Sequence, residues 1–426
     1  MTVSLASQKS NGTARPGLGQ MQSIVVIGAG QAGGWVAKTL RDQKFTGRIV
    51  LVGDEQHPPY ERPPLSKDVL LGSRSPESTY LWSLAKLAEL EVDVMLGCRA
   101  TSIERLKKTV TLSNGQVLAY DRLMLATGSR VRRLGTPGAG LPRIHYMRGI
   151  DDTLAISQSL VSGSRLLVVG GGWIGLEIAA AARQRNVDVV LVEASGQLCS
   201  RVLPPDLASF LRRQHEDRGV RILLETTVTR FSGQQRFEFA ELSNGDRIAA
   251  NTVVIGIGAV PNAEIASEAG VDANNGIIVD SSGRTSEDSI FAAGDVANQP
   301  DGFGGRMRLE SWSNAQNQAI AAAKAMLGAA SPYRDIPYFW SDQYETKLQI
   351  LGLFANYNDI VFRGDGERFI SFYMNDNKIA AVAAVNQPKD LAVARRLMQK
   401  NIAIDPQRLA SAESLDQILH GAPAPS

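Results

Sequence analysis

Two stretches of the chain repeat the same order of apolar and polar positions. In each, a short apolar run is followed by closely spaced glycines, a helical segment and a second apolar run that ends at an acidic residue. The first stretch covers 23–54 and the second covers 165–193. Unbroken runs rich in β-branched residues are typical of buried parallel strands. Each stretch therefore predicts a strand–turn–helix–strand unit.

The glycines of the first stretch are spaced for dinucleotide binding. Gly28, Gly30 and Gly33 follow an apolar strand in G-x-G-x-x-G order and precede a helix predicted over 34–41. Such glycines allow the tight turn, the close approach of a pyrophosphate and helix–strand packing, respectively. Asp54 ends the second strand at about the spacing of a ribose-binding carboxylate. A glycine pattern alone also fits an ordinary strand–helix turn, but the complete unit favours a bound dinucleotide.

The second stretch repeats this arrangement and ends at Glu193. Its glycines are Gly170, Gly172 and Gly175. Two units in one chain imply two dinucleotides. A carboxylate at Glu193 would bond a ribose 2′-hydroxyl and repel a 2′-phosphate, and residues 194–196 contain no arginine to receive one. This pattern favours NADH over NADPH.

The remainder of the sequence predicts hairpins and further strands, and its composition changes near residue 331. Asn114–Gly115 and Asn244–Gly245 are typical hairpin turns. Residues 289–295 predict a strand ending in Gly–Asp, and residues 314–327 predict an Ala-rich helix. Aromatic-rich strands follow from about 331, with helices near 389–400 and 412–420.

Composition excludes several classes of protein. The chain has 426 residues, enough for two or three domains, and its net charge of +2 argues against nucleic acid as a partner. Its two cysteines, Cys98 and Cys199, form neither a disulfide framework nor a metal motif, which favours a reducing cytoplasm. Residues 1–20 predict a disordered tail without a signal-peptide core, and Met21 is an alternative start. No apolar run is long enough to predict a membrane span.

Lys67 is unusual for its position at the start of a predicted short helix. Pro63 and Pro64 predict an extended entry to this helix, and Ser66 is its candidate N-cap. A cation at a helix start opposes the helix dipole unless an anion lies nearby. The local sequence leaves two interpretations open: a solvated lysine, or a lysine paired with a distant acid.

Several longer motifs resemble those of one family. YERPPLSK at 60–67, VVGGGWIGLE at 168–177, RLESWSNAQNQA at 308–319 and PYFWSDQY at 337–344 resemble the FAD-containing ferredoxin–NAD reductases. Those proteins serve Rieske-type aromatic-ring dioxygenases, and similar proteins such as putidaredoxin reductase serve bacterial cytochromes P450. The resemblance covers nearly all of residues 21–420.

The resemblance implies an α/β fold in which two Rossmann-like domains bind FAD and NAD and a C-terminal α+β domain follows. The FAD-binding domain would be discontinuous, over 21–130 and 256–330. The NAD-binding domain would cover 131–255, and the α+β domain 331–426. Electrons would pass from NADH through FAD to a [2Fe–2S] ferredoxin, which in turn feeds a terminal Rieske oxygenase.

The resemblance also assigns individual residues to FAD. Asp54 would bond the adenosine ribose, Lys67 would lie near the flavin ring, and Asp295 would bond the ribityl chain. Trp312 would lie at the pyrimidine end of the flavin, and Trp340 would either line the flavin edge or pack in the core. The remaining implied FAD residues are Gly28, Gly30, Ala32, Gly33, Arg62, Ala100 and Arg148.

The second unit would bind NADH. Its implied residues are Gly172, Ile174, Gly175, Glu177, Glu193 and Gly258. The family also implies a buried ion pair between Lys67 and Glu177 beside the flavin, and these two are the candidate catalytic residues. The alternative for this pair is a purely structural role, since buried ion pairs often fix geometry without entering the chemistry.

Four other functions compete with this interpretation. A disulfide reductase needs a redox cysteine pair, and an NADH oxidase of this fold needs a single thiol near 61–72, where the chain has no cysteine. A membrane quinone reductase needs a C-terminal amphipathic helix, whereas residues 400–426 are largely polar. An NADH-sensing flavoprotein resembling apoptosis-inducing factor would change its binding rather than turn over rapidly with a ferredoxin.

Overall fold

The computed structural model describes residues 21–301, 304–329 and 332–421, so the predicted tail over 1–20 lies outside the described residues. Two short 3₁₀ helices, Pro63–Ser66 and Pro76–Thr79, flank the second α-helix. The first elements in chain order are β1 (Ser23–Ile27), α1 (Gln31–Asp42), β2 (Arg48–Val52), α2 (Asp68–Leu71), α3 (Leu84–Glu89), β3 (Val92–Met95), β4 (Ala100–Glu104), β5 (Thr109–Leu112), β6 (Val117–Ala119), β7 (Arg122–Leu125) and β8 (Ser129–Val131).

A second group of elements contains the second glycine turn. Its strands and helices are β9 (Ile144–Tyr146), α4 (Ile150–Ser159), β10 (Arg165–Val169), α5 (Trp173–Gln184), β11 (Asp188–Val192), α6 (Pro205–Asp217), β12 (Val220–Leu223), β13 (Val228–Ser232), β14 (Phe239–Leu242), β15 (Arg247–Ala249) and β16 (Thr252–Ile255).

The chain then returns to the first group before it forms its C-terminal part. The returning elements are β17 (Ala259–Pro261), α7 (Glu264–Glu268), β18 (Ile277–Ile278), β19 (Ile290–Ala292), β20 (Ala297–Pro300), β21 (Arg306–Met307) and α8 (Trp312–Met326). The C-terminal elements are β22 (Tyr338–Gln343), β23 (Thr346–Gly352), β24 (Asp359–Asp365), β25 (Arg368–Asn375), β26 (Lys378–Val385), α9 (Pro388–Lys400), α10 (Pro406–Ser411) and α11 (Leu415–Leu419).

The first parallel sheet has the strand order β19-β7-β1-β2-β3. Its central strand is buried on both faces, with Val25 and Val26 fully inaccessible, as expected for a parallel sheet covered on each side. Helices α1 and α8 pack on one face through alanines and other small side chains. Strand β19, which pairs with β7, comes from the returning segment.

The second parallel sheet has the order β12-β11-β10-β16-β9. Helix α5 packs against β10 and β11 on one side and β22 on another, and its residues Leu176, Ile178 and Ala182 are all fully buried. The two glycine turns follow β1 and β10, the central strands of two matching sheets. The predicted α/β fold with two Rossmann-like units is confirmed.

The C-terminal part is an antiparallel sheet of order β22-β23-β26-β25-β24, covered by α9 and α11. Phe372 and Tyr373 point to opposite faces of β25, and both are fully buried. The second face packs against the second parallel sheet's core. Both Asn–Gly dipeptides connect paired antiparallel strands, as predicted. The boundaries at 130, 255 and 330 stay a prediction. None of the helices in the described part of the chain is long and apolar enough to cross a membrane.

Candidate dinucleotide and electron-transfer site

The first glycine turn is tightly packed except at its middle glycine. Gly28 has φ +111°, which favours glycine, and a Cβ there would lie 2.1 Å from the carbonyl oxygen of Ala126. A Cβ on Gly33 would lie 1.8 Å from the carbonyl oxygen of Gly28. Gly30 has open space around it, and no side chain caps α1. The first N–H groups of α1 therefore lie where a phosphate can accept their hydrogen bonds.

A cavity of about 1100 Å³ opens in front of this turn. It exceeds the roughly 300–1,000 Å³ of ordinary small-molecule sites, which suits a dinucleotide. Every residue assigned to FAD by the resemblance lines it except Gly33, which packs beneath the turn. The lining set is Gly28, Gly30, Ala32, Asp54, Arg62, Lys67, Ala100, Arg148, Asp295 and Trp312.

The second glycine turn has the same construction. Gly170 has φ +106°, and a Cβ on Gly175 would lie 2.0 Å from the Gly170 carbonyl oxygen. Gly172 precedes α5, which also begins without a side-chain cap. Of the residues assigned to NADH, Ile174 and Glu177 line the cavity in front of the first turn, whereas Gly172, Gly175, Glu193 and Gly258 lie outside its lining.

Lys67 and Glu177 form an ion pair across the two units. The Lys67 Nζ atom lies 2.8 Å from Glu177 Oε1, and the two side chains are 14% and 4% exposed. Lys67 Nζ also donates to the carbonyl oxygen of Pro63 at 3.1 Å. The anion required near Lys67 is thus Glu177, and the interpretation of Lys67 as a solvated lysine is wrong.

Two serines complete the surroundings of Glu177. Ser341 Oγ donates to Glu177 Oε1 at 2.6 Å, and Ser66 Oγ donates to Oε2. The predicted N-cap role of Ser66 is wrong, because α2 begins at Asp68 without a side-chain cap. Burial raises the pKa of Asp342, which lies close enough to feel the charges of both Lys67 and Glu177. Three donors on one carboxylate form a charge-assisted cluster.

Arg148 lies in the cavity wall, where Asp295 and Arg62 hold it. Its Nη2 atom donates to Asp295 Oδ2 at 2.8 Å, and its carbonyl oxygen accepts from Arg62 Nη1 at 2.6 Å. The Nε atom of Arg148 is buried, and no described residue accepts its hydrogen. The Arg148 side chain nevertheless lines the cavity, so it adds a positive charge to the cavity wall.

One end of the cavity carries opposite charges. Asp54 follows β2, and its Oδ2 atom accepts from Arg99 Nη2 at 3.0 Å; both side chains are more than half exposed. Ala100 begins β4 and pairs with Leu112 on β5. Ala32 packs against Gly294 at the first turn, where a Cβ on the glycine would lie 3.0 Å from Ala32 Cβ.

Aromatic rings form the wall at the other end. The ring centroids of Trp312 and Trp340 lie 5.9 Å apart, and Trp312 Nε1 donates to Glu61 Oε1 at 3.0 Å. Trp173 and Phe339 pack at 4.6 Å. Trp312, predicted for the pyrimidine end of the flavin, and Trp340, predicted for either the flavin edge or the core, therefore both line the cavity.

Glu193 is turned back towards the second glycine turn. Its carboxylate accepts from the N–H groups of Gly171 at 2.6 Å and Ser195 at 2.8 Å. Beside it, burial raises the pKa of the Cys199 thiol. Arg201, which the sequence did not point to, lies against Gly258. A Cβ on Gly258 would lie 2.9 Å from the Arg201 Nη2 atom.

The serine contacts to Glu177 were also missed. Ser341 and Gln343 are both buried on one face of β22, which is otherwise an aromatic strand. Two polar residues at i and i+2 share one face of a strand. A buried polar pair in PYFWSDQY was thus the available signal. Among the described residues, no cluster of three or more His, Cys, Asp or Glu side chains is arranged to hold a metal ion.

Two family matches together cover most of the chain. Residues 22–319 match the family described as Pyridine nucleotide-disulphide oxidoreductase. Residues 338–419 match a second family, described as Reductase C-terminal.

Similar curated proteins align over nearly their whole length. The ferredoxin–NAD(+) reductase component of the p-cumate 2,3-dioxygenase system of Pseudomonas putida is 41% identical over 92% of this chain and 96% of that protein. The corresponding component of the anthranilate 1,2-dioxygenase system of Burkholderia cepacia is 41% identical over 91% and 96%. Rhodocoxin reductase of Rhodococcus erythropolis is 39% identical over 92% of both chains.

Solved structures share the whole fold. The reductase in the covalent putidaredoxin reductase–putidaredoxin complex superposes with a TM-score of 0.91 at 35% identity. The alignment covers 94% of this chain and 99% of that one.

Proposed function

Because the chain belongs to the pyridine nucleotide-disulphide oxidoreductase family, we propose that it carries electrons from NADH through FAD to a [2Fe–2S] ferredoxin. It is a ferredoxin–NAD(+) reductase, and its ferredoxin feeds a Rieske-type aromatic-ring-hydroxylating dioxygenase. The chain has two cysteines in total, both of them buried and free, so disulfide chemistry is not its reaction.

One observation carries this proposal. The cavity in front of the first glycine turn extends to Ile174 and Glu177, which belong to the helix of the second glycine turn. A ligand bound at the first turn would therefore meet a ligand held by the second. Hydride transfer between two dinucleotides requires this contact.

FAD fits the first unit on the chemistry of the residues present. Its pyrophosphate would bind the open turn at Gly30 with Gly28, Ala32 and Gly33, and Arg148 in the cavity wall would bring a positive charge to the bound cofactor. The other residues proposed to hold FAD are Asp54, Arg62, Lys67, Ala100, Asp295 and Trp312.

The protein contributes position and charge to the reaction. Bound FAD supplies a group that accepts two electrons from NADH and releases them singly to an iron–sulfur protein. Glu177 holds the Lys67 ammonium group against the cavity wall, so a positive charge stays fixed there. Trp173 and Ile174 present apolar surface to the same space, which excludes water from it.

NADH is the proposed donor. Gly172 and Gly175 would bind its pyrophosphate at the start of α5, with Gly258 close by. Glu193 would accept from the ribose 2′-hydroxyl in addition to the two backbone N–H groups that already fix its orientation. A 2′-phosphate at this carboxylate would be repelled, although Arg201 brings one positive charge to the neighbourhood.

The test is NADH-driven reduction of cytochrome c by the purified flavoprotein, with and without a [2Fe–2S] ferredoxin, repeated with NADPH. We expect a large ferredoxin-dependent rate with NADH and little with NADPH. Flavin that NADH reduces but that passes electrons only to oxygen or quinones would overturn the proposal. Equal rates with the two nucleotides would overturn the assignment of Glu193.

A second candidate is the reductase of a cytochrome P450 system. It is favoured by the similarity to putidaredoxin reductase, which at 35% identity is lower than the 41% identity to the dioxygenase components. The two candidates are separated by measuring, for ferredoxins from both kinds of system, the ferredoxin concentration that gives the half-maximal rate. The lower concentration identifies the system that this reductase serves. The domain boundaries and a cytoplasmic location remain proposals alongside this function.

A further inference from the structure

A chain of buried side chains connects helix α6 to Glu177. His215 Nε2 lies 2.8 Å from Gln343 Oε1, Gln343 Nε2 lies 3.0 Å from Ser341 Oγ, and Ser341 Oγ lies 2.6 Å from Glu177 Oε1. At the outer end, the Tyr344 hydroxyl lies 3.0 Å from His215 Nδ1. His215, Gln343, Ser341 and Glu177 are each less than 5% exposed.

The hydrogen bonds in this chain all point the same way. Burial lowers the pKa of His215 to about 4, so its imidazole is neutral at pH 7. Gln343 donates to Ser341 through Nε2, so the Gln343 atom that faces His215 is the acceptor Oε1. His215 therefore carries its proton on Nε2 and donates it to Gln343. The unprotonated Nδ1 of His215 accepts from the Tyr344 hydroxyl. Ser341, which already accepts from Gln343, donates its only proton to Glu177. Aligned hydrogen bonds polarise one another, so each strengthens the next.

This chain crosses three parts of the fold. His215 belongs to α6 beside the second sheet, Gln343 and Ser341 belong to β22 of the C-terminal sheet, and Glu177 meets Lys67 from the first unit. Gln214 also donates to the Gln343 carbonyl oxygen and to Thr346 Oγ1, which fixes α6 on this sheet. The orientation of Ser341 is therefore set by groups remote from the cavity.

We propose that His215 and Gln343 are positioning residues, which act through Ser341 to hold the Glu177 carboxylate in the geometry that fixes Lys67 beside the electron-transfer site. This inference rests on the proposed function. The chain is not a route for protons, because the Gln343 amide neither gains nor loses a proton at ordinary pH. These hydrogen bonds instead affect the geometry and charge of the Lys67–Glu177 ion pair.

The experiment measures reduction of the bound flavin by NADH in single turnovers, over a range of NADH concentrations. Four variants are compared with the wild type: His215→Leu, Ser341→Ala, the double variant, and His215→Gln. Glutamine offers one donor and one acceptor, so His215→Gln can restore the chain. His145→Leu is the control, because His145 is a partly buried histidine whose side chain bonds Ser159, and no hydrogen bond among the described residues links it to Glu177.

We expect His215→Leu to lower the limiting rate of flavin reduction by about fivefold to tenfold, the size of one lost hydrogen bond. The NADH dissociation constant and the flavin content should stay unchanged. In the Ser341→Ala background, His215→Leu should cause almost no further loss of the limiting rate, because the series of hydrogen bonds then no longer reaches Glu177. His215→Gln should recover most of the rate, and His145→Leu should match the wild type.

Two results would overturn the inference. One is equal limiting rates for His215→Leu and the wild type. The other is a loss of limiting rate on His215→Leu that is as large in the Ser341→Ala background as in the wild type. Such a loss would show that His215 affects the rate by stabilising the fold and not through Ser341. Failure of the proposed function is distinguishable, since it appears as wild-type flavin that NADH does not reduce.

Discussion

Lys67 and Glu177 are separated by 110 residues in sequence, yet their charged groups lie 2.8 Å apart. Lys67 stands at the start of a short helix in the first unit, and Glu177 lies in the first turns of α5 in the second. The pair thus joins the two dinucleotide units at the wall of the cavity that they share. Its removal tests both stability and electron transfer.

Glu177→Gln leaves the Lys67 ammonium group buried without its countercharge. Because an unpaired buried charge is strongly disfavoured, we expect the free energy of unfolding to fall by about 3 kcal/mol. Flavin reduction by NADH should slow by at least about tenfold. Chemical denaturation and single-turnover absorbance measure the two effects.

The matched control for Glu177→Gln is Asp42→Asn. Asp42 pairs with Lys38 at 2.6 Å on the exposed face of α1, where an ion pair contributes less than about 1 kcal/mol. Equal losses of stability in the two variants would show that burial of the Lys67–Glu177 pair has no energetic consequence.

The two alanine variants of the first glycine turn should behave differently. Gly28→Ala forces a side chain into φ +111° and against the Ala126 carbonyl group, so we expect a loss of about 3 kcal/mol or more of stability. Gly30→Ala adds a methyl group in open space at φ −80°, which changes stability by less than about 1 kcal/mol. Its effect should be a reduced FAD content.

Flavin absorbance per polypeptide and the thermal midpoint Tm measure these effects. A Gly30→Ala protein that retains full FAD content and affinity would contradict the assignment of the pyrophosphate to this turn. A Gly28→Ala protein as stable as the wild type would contradict the role of the positive φ.

Glu193→Ala should weaken NADH binding and reduce the preference over NADPH. The substitution removes the proposed ribose acceptor together with the partner of the Gly171 and Ser195 N–H groups. We expect KM for NADH to rise about tenfold, with KM for NADPH unchanged or lower. Steady-state kinetics with both nucleotides measure this, with the exposed Glu216→Gln as control. An unchanged NADH preference would show that selectivity lies elsewhere.

His215 should make stability depend on pH. Burial lowers its pKa to about 4 in the folded chain, below the value of about 6.5 expected when unfolded. Above pH 6.5 the imidazole is neutral in both states, so the free energy of unfolding is unaffected. As the pH falls to 4, the unfolded chain binds the proton first, and the free energy of unfolding falls by about 3 kcal/mol. His215→Gln should remove this part of the acid destabilisation, as measured by urea unfolding at several pH values.

The exposed His420→Gln variant is the control for this measurement. Its pH dependence should run parallel to that of the wild type. If the His215→Gln curve also runs parallel to it, His215 is not the buried neutral imidazole that the hydrogen-bond chain requires.

Much of the fold follows from local sequence. The apolar runs before Gly28 and Gly170 predict the central strands of both parallel sheets because such strands are buried on both faces. Asn114–Gly115 and Asn244–Gly245 predict hairpins because glycine accepts the positive φ that a tight connection between antiparallel strands requires, and φ is +83° at Gly115 and +90° at Gly245. These features depend on neighbours along the chain, so they are visible without the fold.

The contacts of Glu177 were only partly predictable. The resemblance supplied its partner Lys67, but local reasoning assigned Ser66 to a helix cap. Ser66 and Ser341 instead reach Glu177 from 111 and 164 residues away. A serine hydroxyl is satisfied equally by a cap or by a distant carboxylate. Only the packing of α5 against β22 and the Pro63–Ser66 turn decides between them.

The position of β19 in the first sheet has a consequence for synthesis on the ribosome. Strand β7 is complete at Leu125, but its outer edge is paired only when Ile290–Ala292 has been made. Until then the nascent chain presents an unpaired, apolar parallel edge, the kind of surface that promotes aggregation. The second sheet, whose strands all lie between 144 and 255, can meanwhile assemble as an inserted unit. A nascent chain stalled before residue 290 should therefore bind chaperones more strongly than one stalled after residue 330.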